Sequence, residues 1–473
     1  MRARILSSNR LTSSLLCVIA IAAAFAVEHA GAAHADDDRG HERRAMTFED
    51  GTGTVRTFST NGGIDFRNAF FQDLGTNGRR CVTCHQPGSA WTITPEDVQA
   101  RFAATRGRDP IFRSNDGSDC EGIDTRKGSR AAAYTMLLSK GLIRVGMDVP
   151  ASAEFSVLSV DDPHACGAPL QSVSMYRRPL PSTNLRFLSA VMWDGRESSP
   201  TTTVLEDLAR QANDATRGHA QAAADLTDAQ RREIVGFETG LFTAQVRDDK
   251  AGGLTTRDGG GPVDLAREPF FIGINDPVGL NPSNAAFDPR VFTIFDTWAS
   301  TPAFSHERAA ARSAITRGQE IFNTRPITIT GVAGLNDELF ASGVRVPTSL
   351  TGTCTVCHDT PKAGSHSVKA PLNIGLTDPA RRTPDMPLYT LVNRATGETV
   401  QTTDPGRAMI TGKWRDIGKF KGPVLRALAA RAPYFHNGSA ATLDEVVEFY
   451  NARFDMRLTP QEKADLVAFL RAL

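Results

Sequence analysis

Four stretches of the chain alternate apolar and polar positions with helical spacing. Thr227-Asp228-Ala229-Gln230 reads as a capping-box start, and Ile234, Phe237 and Leu241 follow three or four residues apart. His306 to Asn323 predicts a helix with Ile315, Gly318, Ile321 and Phe322 on its buried side. Thr442-Leu443-Asp444-Glu445 caps a helix running to about Ala452. Thr459-Pro460-Gln461-Glu462 caps the last one, which lines Leu466, Phe469, Leu470 and Leu473 along one face. Strand signals are sparse. Gly107 to Pro169, rich in Asp, Gly, Ser and Pro, reads as an irregular insertion. Gly252 to Pro262 is a Gly-rich loop with no following Lys-Ser/Thr, so it is not a phosphate cradle.

One apolar run has no period. Leu15 to Val27 spans thirteen residues, short of the roughly 20 a membrane span needs. Arg2, Arg4 and Arg10 precede it, and Ala33-His34-Ala35 offers a cleavage site. Residues 1–35 therefore read as a signal peptide, with an N-terminal anchor as the alternative. The charged stretch 36–45 reads as disordered. The processed protein is expected to be soluble, without a membrane span, in an oxidising compartment, most simply the periplasm.

Composition changes this picture little. The 473 residues are 40% hydrophobic and 22% charged, and 53 Lys+Arg balance 53 Asp+Glu. That balance excludes a basic nucleic-acid binder and an acidic disordered chain. The length allows two to three domains. The seven cysteines matter more. Cys17 leaves with the signal peptide, and four of the other six fall in Cys81-Val82-Thr83-Cys84-His85 and Cys354-Thr355-Val356-Cys357-His358. This spacing suits covalent c-type haem, two thiols bonding the vinyl groups and the histidine reaching iron. Zinc or a thioredoxin-like pair is the alternative for a lone Cys-x-x-Cys. Two copies, each followed by His, point to two covalently bound haem c groups with His85 and His358 as iron ligands. Cys120 and Cys166 remain, and an exported chain makes a disulfide the default, with two buried thiols as the alternative.

With Trp193-Asp194-Gly195-Arg196 and Ala432-Pro433-Tyr434-Phe435-His436-Asn437-Gly438, the two haem motifs resemble the bacterial di-haem cytochrome c peroxidase family, which includes MauG-type enzymes. The resemblance runs over about Asn61 to Leu473, insertions excepted. It implies a mainly α fold of two cytochrome c-like haem domains facing each other, 46–300 and 301–473, with long loop insertions in the first. It implies that peroxide reacts at the His85 haem and that the His358 haem relays electrons from a donor. Trp193 matches the family tryptophan between the haems; a plain core Trp is the alternative.

Departures from the pattern carry further expectations. A second axial ligand of the relay haem stands fourteen residues after the His of the last block in the family. Here that position is Tyr450, as in MauG-type proteins, where a peroxidase has Met. A phenolate stabilises oxidised iron and a thioether the reduced state; Met409 or Met456 is the alternative ligand. Over the reactive haem, Gln211 matches the family Gln, but the Glu expected ten residues on is Gln221. His219, two residues away, can move a proton near neutral pH. It is expected over the haem as acid–base or sixth ligand, against a structural histidine. The family calcium ligand fifteen residues before the Trp is replaced by Arg178, which cannot ligate Ca²⁺, leaving calcium doubtful.

These features imply a periplasmic oxidoreductase that reduces hydrogen peroxide, or uses it to oxidise a substrate. Its partners would be a c-type cytochrome or cupredoxin donor, or a protein or organic substrate. The alternative is a di-haem electron-transfer cytochrome without peroxidase activity, both distal positions being filled.

Overall fold

The computed structural model describes residues 45–124, 130–256, 259–299, 305–338, 343 and 345–473. The expected leader, the charged stretch up to residue 44 and the expected start of the second half at Thr301 lie outside them; Ala45 opens a strand.

The four expected helices form at Asp228–Thr239, His306–Thr324, Leu443–Arg453 and Pro460–Arg471. Thr227, Thr442 and Thr459 cap the first, third and fourth, their side-chain oxygens accepting main-chain N–H groups of the first turn. Leu241 does not extend the first helix. Gly240 ends it, and Leu241 starts the strand Leu241–Asp248. The helices His306–Thr324 and Pro460–Arg471 cross very closely. A methyl group on Gly318 would lie 2.0 Å from the Asp465 carbonyl oxygen and 2.6 Å from Cβ of Phe469. Only glycine permits that approach.

The mainly α expectation is wrong. About 31% of the described residues are helical and 17% are in strands or bridges. Nor are two cytochrome c-like helical domains shown; four antiparallel sheets run through the described residues. One orders Ala45–Asp50, Gly53–Ser59, Leu241–Asp248 and Gly252–Gly253. A second pairs Thr399–Thr402 with Leu388–Asn393, and the latter with Phe155–Asp161. Ile143–Asp148 pairs with Ser172–Arg177, and Ile327–Thr330 with Ser349–Gly352. These strands are short and built from Thr, Val, Ile and Ser. Their β-branched residues suit a pleated surface, but few runs alternate long enough to announce a strand. Many of their polar positions are buried: Thr57 and Thr243, both about 1% exposed or less, face each other across the first sheet and share a 2.8 Å hydrogen bond.

The segment Gly107–Pro169, expected to be irregular, contains among its described residues the helix Thr135–Lys140 and two of the strands above; residues 125–129 lie outside the described residues. It is tied to the later chain by Phe155–Asp161 pairing with Leu388–Asn393, and by Lys140 Nζ donating to Asp385 at 2.7 Å. The largest apolar core gathers around the second haem motif. It unites Ile315, Phe322, Leu466 and Phe469 with Leu254, Phe292 and Phe295 from earlier in the chain. Among the described residues no helix is long and apolar enough to cross a membrane.

Candidate haem-binding site

Both Cys-x-x-Cys-His motifs fold into the same tight turn. Cys84 and His85 donate their N–H groups to the Cys81 carbonyl at 3.2 and 3.1 Å; Cys357 and His358 donate to that of Cys354 at 3.3 and 3.2 Å. None of these four cysteines is in a disulfide. His85 Nδ1 lies 3.0 Å from both the Trp91 carbonyl and Ser182 Oγ, and His358 Nδ1 lies 2.7 Å from the Gly364 carbonyl. A backbone carbonyl on Nδ1 fixes the tautomer and leaves Nε2 as the metal-facing nitrogen. Burial lowers both imidazoles to about 4, so both rings are neutral at pH 7.

Each motif borders its own cavity. The first is lined by Cys81, Cys84, His85, Trp193, Gln211 and His219 among others. The second is lined by Cys354, Cys357, His358, Trp193, Tyr450 and Met456 among others. Paired thiols, a histidine with a free Nε2 and an adjoining apolar cavity together fit a covalently bound haem.

Over the first cavity, the helix Val204–Gly218 presents Gln211 and delivers His219 at its end. His219 Nδ1 is hydrogen-bonded to the Asp116 carboxylate, whose other oxygen takes Arg79 Nη1. Arg79 also donates to the carbonyls of Pro110 (2.9 Å) and Ile111 (2.8 Å). Burial alone would raise the Asp116 carboxyl; the His219 ring and the Arg79 guanidinium overcome it and hold the group below its usual range. Gln221, at the position of the family Glu, has a left-handed backbone (φ 55°), engages Asn77 and does not border the cavity. Asp116 and Arg79 were not found by sequence reasoning. Asp116 lies in the insertion, and nothing local to it announces a partner a hundred residues away.

In the second cavity Tyr450 projects from the helix Leu443–Arg453 beside Phe435, Phe449 and Phe454. Burial, then the neighbouring Cys357 and Cys354, push its phenol well above the usual value. Met456 borders the same cavity. Met409 does not; it packs in a separate core with Phe155, Val157 and Leu391.

Trp193 lines both cavities. Its indole N–H donates to the Arg178 carbonyl at 2.8 Å, and its own carbonyl accepts from Lys421 N–H at 2.9 Å. Next to it Asp194, fully buried, is ion-paired with Arg177, which also binds Asp404 at 2.7 Å. The WDGR block is thus clamped by a buried charge network. Lys421 and Arg431 also line both cavities. Burial lowers Lys421 to about 7, helped by the Arg431 charge, and lowers Arg431 to about 10. Among the described residues no carboxylate pairs with either, and Arg431 Nε is buried without a hydrogen-bond acceptor. Buried cations of this kind need anions, and haem propionates are anions of the right sort.

Away from the cavities, Cys120 and Cys166 are joined, with S–S 2.04 Å. His366 lies in a loop and is only 6% exposed.

No family model matches the chain. The cytochrome-c peroxidase IdrP1 of Denitromonas iodatirespirans is 38% identical over 140 residues, 25% of this chain and 36% of that protein. The cytochrome-c peroxidase IdrP2 of the same organism is 36% identical over 132 residues, 26% of this chain and 36% of that one. The cytochrome c551 peroxidase of Nitrosomonas europaea is 31% identical over 121 residues, 25% of this chain and 30% of that protein. The chain thus spans about a third of the length of the curated relatives it matches. A solved MauG-like protein associated with microbial copper homeostasis aligns over 86% of each chain, at 17% identity and a TM-score of 0.37. The matched stretches belong to bacterial cytochrome c peroxidases, and over about a quarter of its length the chain is similar to them.

Proposed function

We propose that the chain is a periplasmic di-haem oxidoreductase that reduces hydrogen peroxide, or uses it to oxidise a substrate, with electrons relayed between two haem sites. Bound haems would supply one-electron redox centres. His85 and His358 would hold the two irons through Nε2. Cys81 and Cys84, and Cys354 and Cys357, would fix the macrocycles covalently. Lys421 and Arg431 would meet the propionates. Tyr450 would be a further ligand at the relay site, and Trp193 would couple the two cavities through an indole that borders both.

One observation carries the reading. Asp116 engages Nδ1 of His219, which leaves Nε2 to the cavity that also holds His85. An imidazole anchored on one nitrogen by a carboxylate can take a proton from peroxide at the other and return it to the departing oxygen. Gln211 supplies an amide that can hydrogen-bond peroxide but cannot exchange a proton with it. A small c-type cytochrome, a cupredoxin, or a protein or organic substrate would supply the electrons.

Absorption spectroscopy of the half-reduced holoprotein tests this. A high-spin ferric band that changes on adding H₂O₂, and is lost or slowed in His219→Ala, is the expected result. Tyr450→Phe is expected to alter the ligand field of the other haem only. Two low-spin haems indifferent to H₂O₂ after partial reduction would refute the proposal. They would leave a di-haem electron-transfer cytochrome, the reading favoured if His219 Nε2 itself ligates iron.

A further inference from the structure

Between the two cavities lies a cation that binds neither propionate nor peroxide in the account above. Arg178 is 5% exposed. Its guanidinium donates to three main-chain carbonyls from distant parts of the chain: Ile93 at 2.6 Å, Lys140 at 2.8 Å and Arg431 at 3.2 Å. Its backbone is engaged as well. Its N–H donates to the His436 carbonyl at 2.7 Å, and its carbonyl receives the Trp193 indole N–H. Gly141 makes room for it, since a methyl there would lie 2.8 Å from Arg178 Nη1.

Converging carbonyl oxygens are what a hard divalent cation such as Ca²⁺ collects. Here their lone pairs already face N–H groups. The residues therefore do not fit the calcium that the family resemblance implies. Position 178 offers donors instead of an oxygen, and the carbonyls around it are taken. The Arg431 guanidinium adds like charge beside Arg178. No cluster of three or more His, Cys, Asp or Glu among the described residues could hold a metal.

We propose that Arg178 is a built-in cation that takes the place of a divalent ion, cross-linking the segments between the two cavities and setting the Trp193 ring without calcium. The shape of the group matters. Its two terminal nitrogens reach three acceptors on different sides, and a lysine ammonium, a single point of charge, cannot span them all. Arg178 is a positioning residue: it acts on electron relay through Trp193.

The inference uses the two-haem reading but not the peroxide reading, and its test involves no peroxide. Wild-type holoprotein is treated with EGTA and then given CaCl₂. Unchanged haem absorption and unchanged thermal unfolding at both steps are expected. A loss on EGTA treatment that calcium restores would overturn the proposal. Arg178→Gln is expected to lower the unfolding midpoint by about 5 °C or more, to change the near-ultraviolet circular dichroism of the tryptophans, and to slow interhaem electron transfer by on the order of tenfold, the scale expected when a positioned group shifts by a fraction of an ångström. Arg178→Lys should recover part of each change. Arg178→Gln indistinguishable from wild type would equally refute the inference. Should that variant fail to fold, the wild-type EGTA arm decides alone.

Discussion

Asp116→Asn tests whether the His219 ring is held as the geometry describes. The substitution keeps the shape of the side chain and removes its charge, while adding a donor where only an acceptor is wanted. Two effects follow. Arg79 loses its buried counter-charge; the side chains are 4% and 10% exposed. Removing one partner of a buried pair costs about 3–5 kcal/mol. Arg79 keeps its bonds to the Pro110 and Ile111 carbonyls, so the lower end, about 3 kcal/mol, applies. The coupling to His219 is smaller. That side chain is 39% exposed, and solvent screening reduces its pair energy to about 0.5–1.5 kcal/mol. The measurement is a double-mutant cycle of Asp116→Asn and His219→Ala, by urea unfolding of the holoprotein at pH 7. Additivity of the two losses to within about 0.3 kcal/mol would refute the contact. The sign with pH follows from the lowered Asp116 carboxyl. Its stabilisation is full above the unfolded-state value of about 3.9 and fades as pH falls through the lower folded value. Asp116→Asn should flatten that acid-side slope.

Three further outcomes are expected. Gly318→Ala should destabilise the protein by at least the 1–3 kcal/mol typical of overpacking, roughly, because the new methyl meets main chain and not a movable side chain; chemical denaturation measures it, and a neutral result would contradict the close helix crossing. Replacing Cys81 and Cys84 together by Ala should halve the haem per chain in a pyridine haemochrome assay while leaving the Cys354–Cys357 site loaded. Cys120→Ser with Cys166→Ser opens a loop closed over a separation of 46 residues, for which chain entropy predicts a loss of about 4 kcal/mol, read from unfolding under non-reducing conditions.

What could be read in advance, and what could not, divides along a physical line. The capped helices and the haem motifs are local. Thr227 and Thr459 announce their helices within four residues, and Cys81 to His85 carry their chemistry in five consecutive positions. The strand Gly53–Ser59 pairs on one side with its local neighbour and on the other with Leu241–Asp248, nearly two hundred residues away, and its buried threonines look polar until that distant partner is known. The site divides in the same way. His219 stood out because the chemistry needs a proton carrier near Gln211. Asp116 and Arg79 act through contacts between segments, and neither period nor motif points to them. The choice between Met409 and Met456 as alternatives to Tyr450 likewise depended on which cavity each side chain borders.

The strand Phe155–Asp161 meets its partner only when Leu388–Asn393 is available. More than two hundred residues must be synthesised in the interval, which makes this a contact of high sequence separation and slow formation. Until it forms, the earlier strand presents an unpaired edge carrying Leu158, which remains 57% exposed even in the finished fold, and open edges invite pairing with other chains. Leu388–Asn393 therefore covers one edge of a strand made more than two hundred residues earlier. Mutations that delay Leu388–Asn393 should surface first as aggregation during biogenesis, while leaving the haem pockets of correctly folded molecules unaltered.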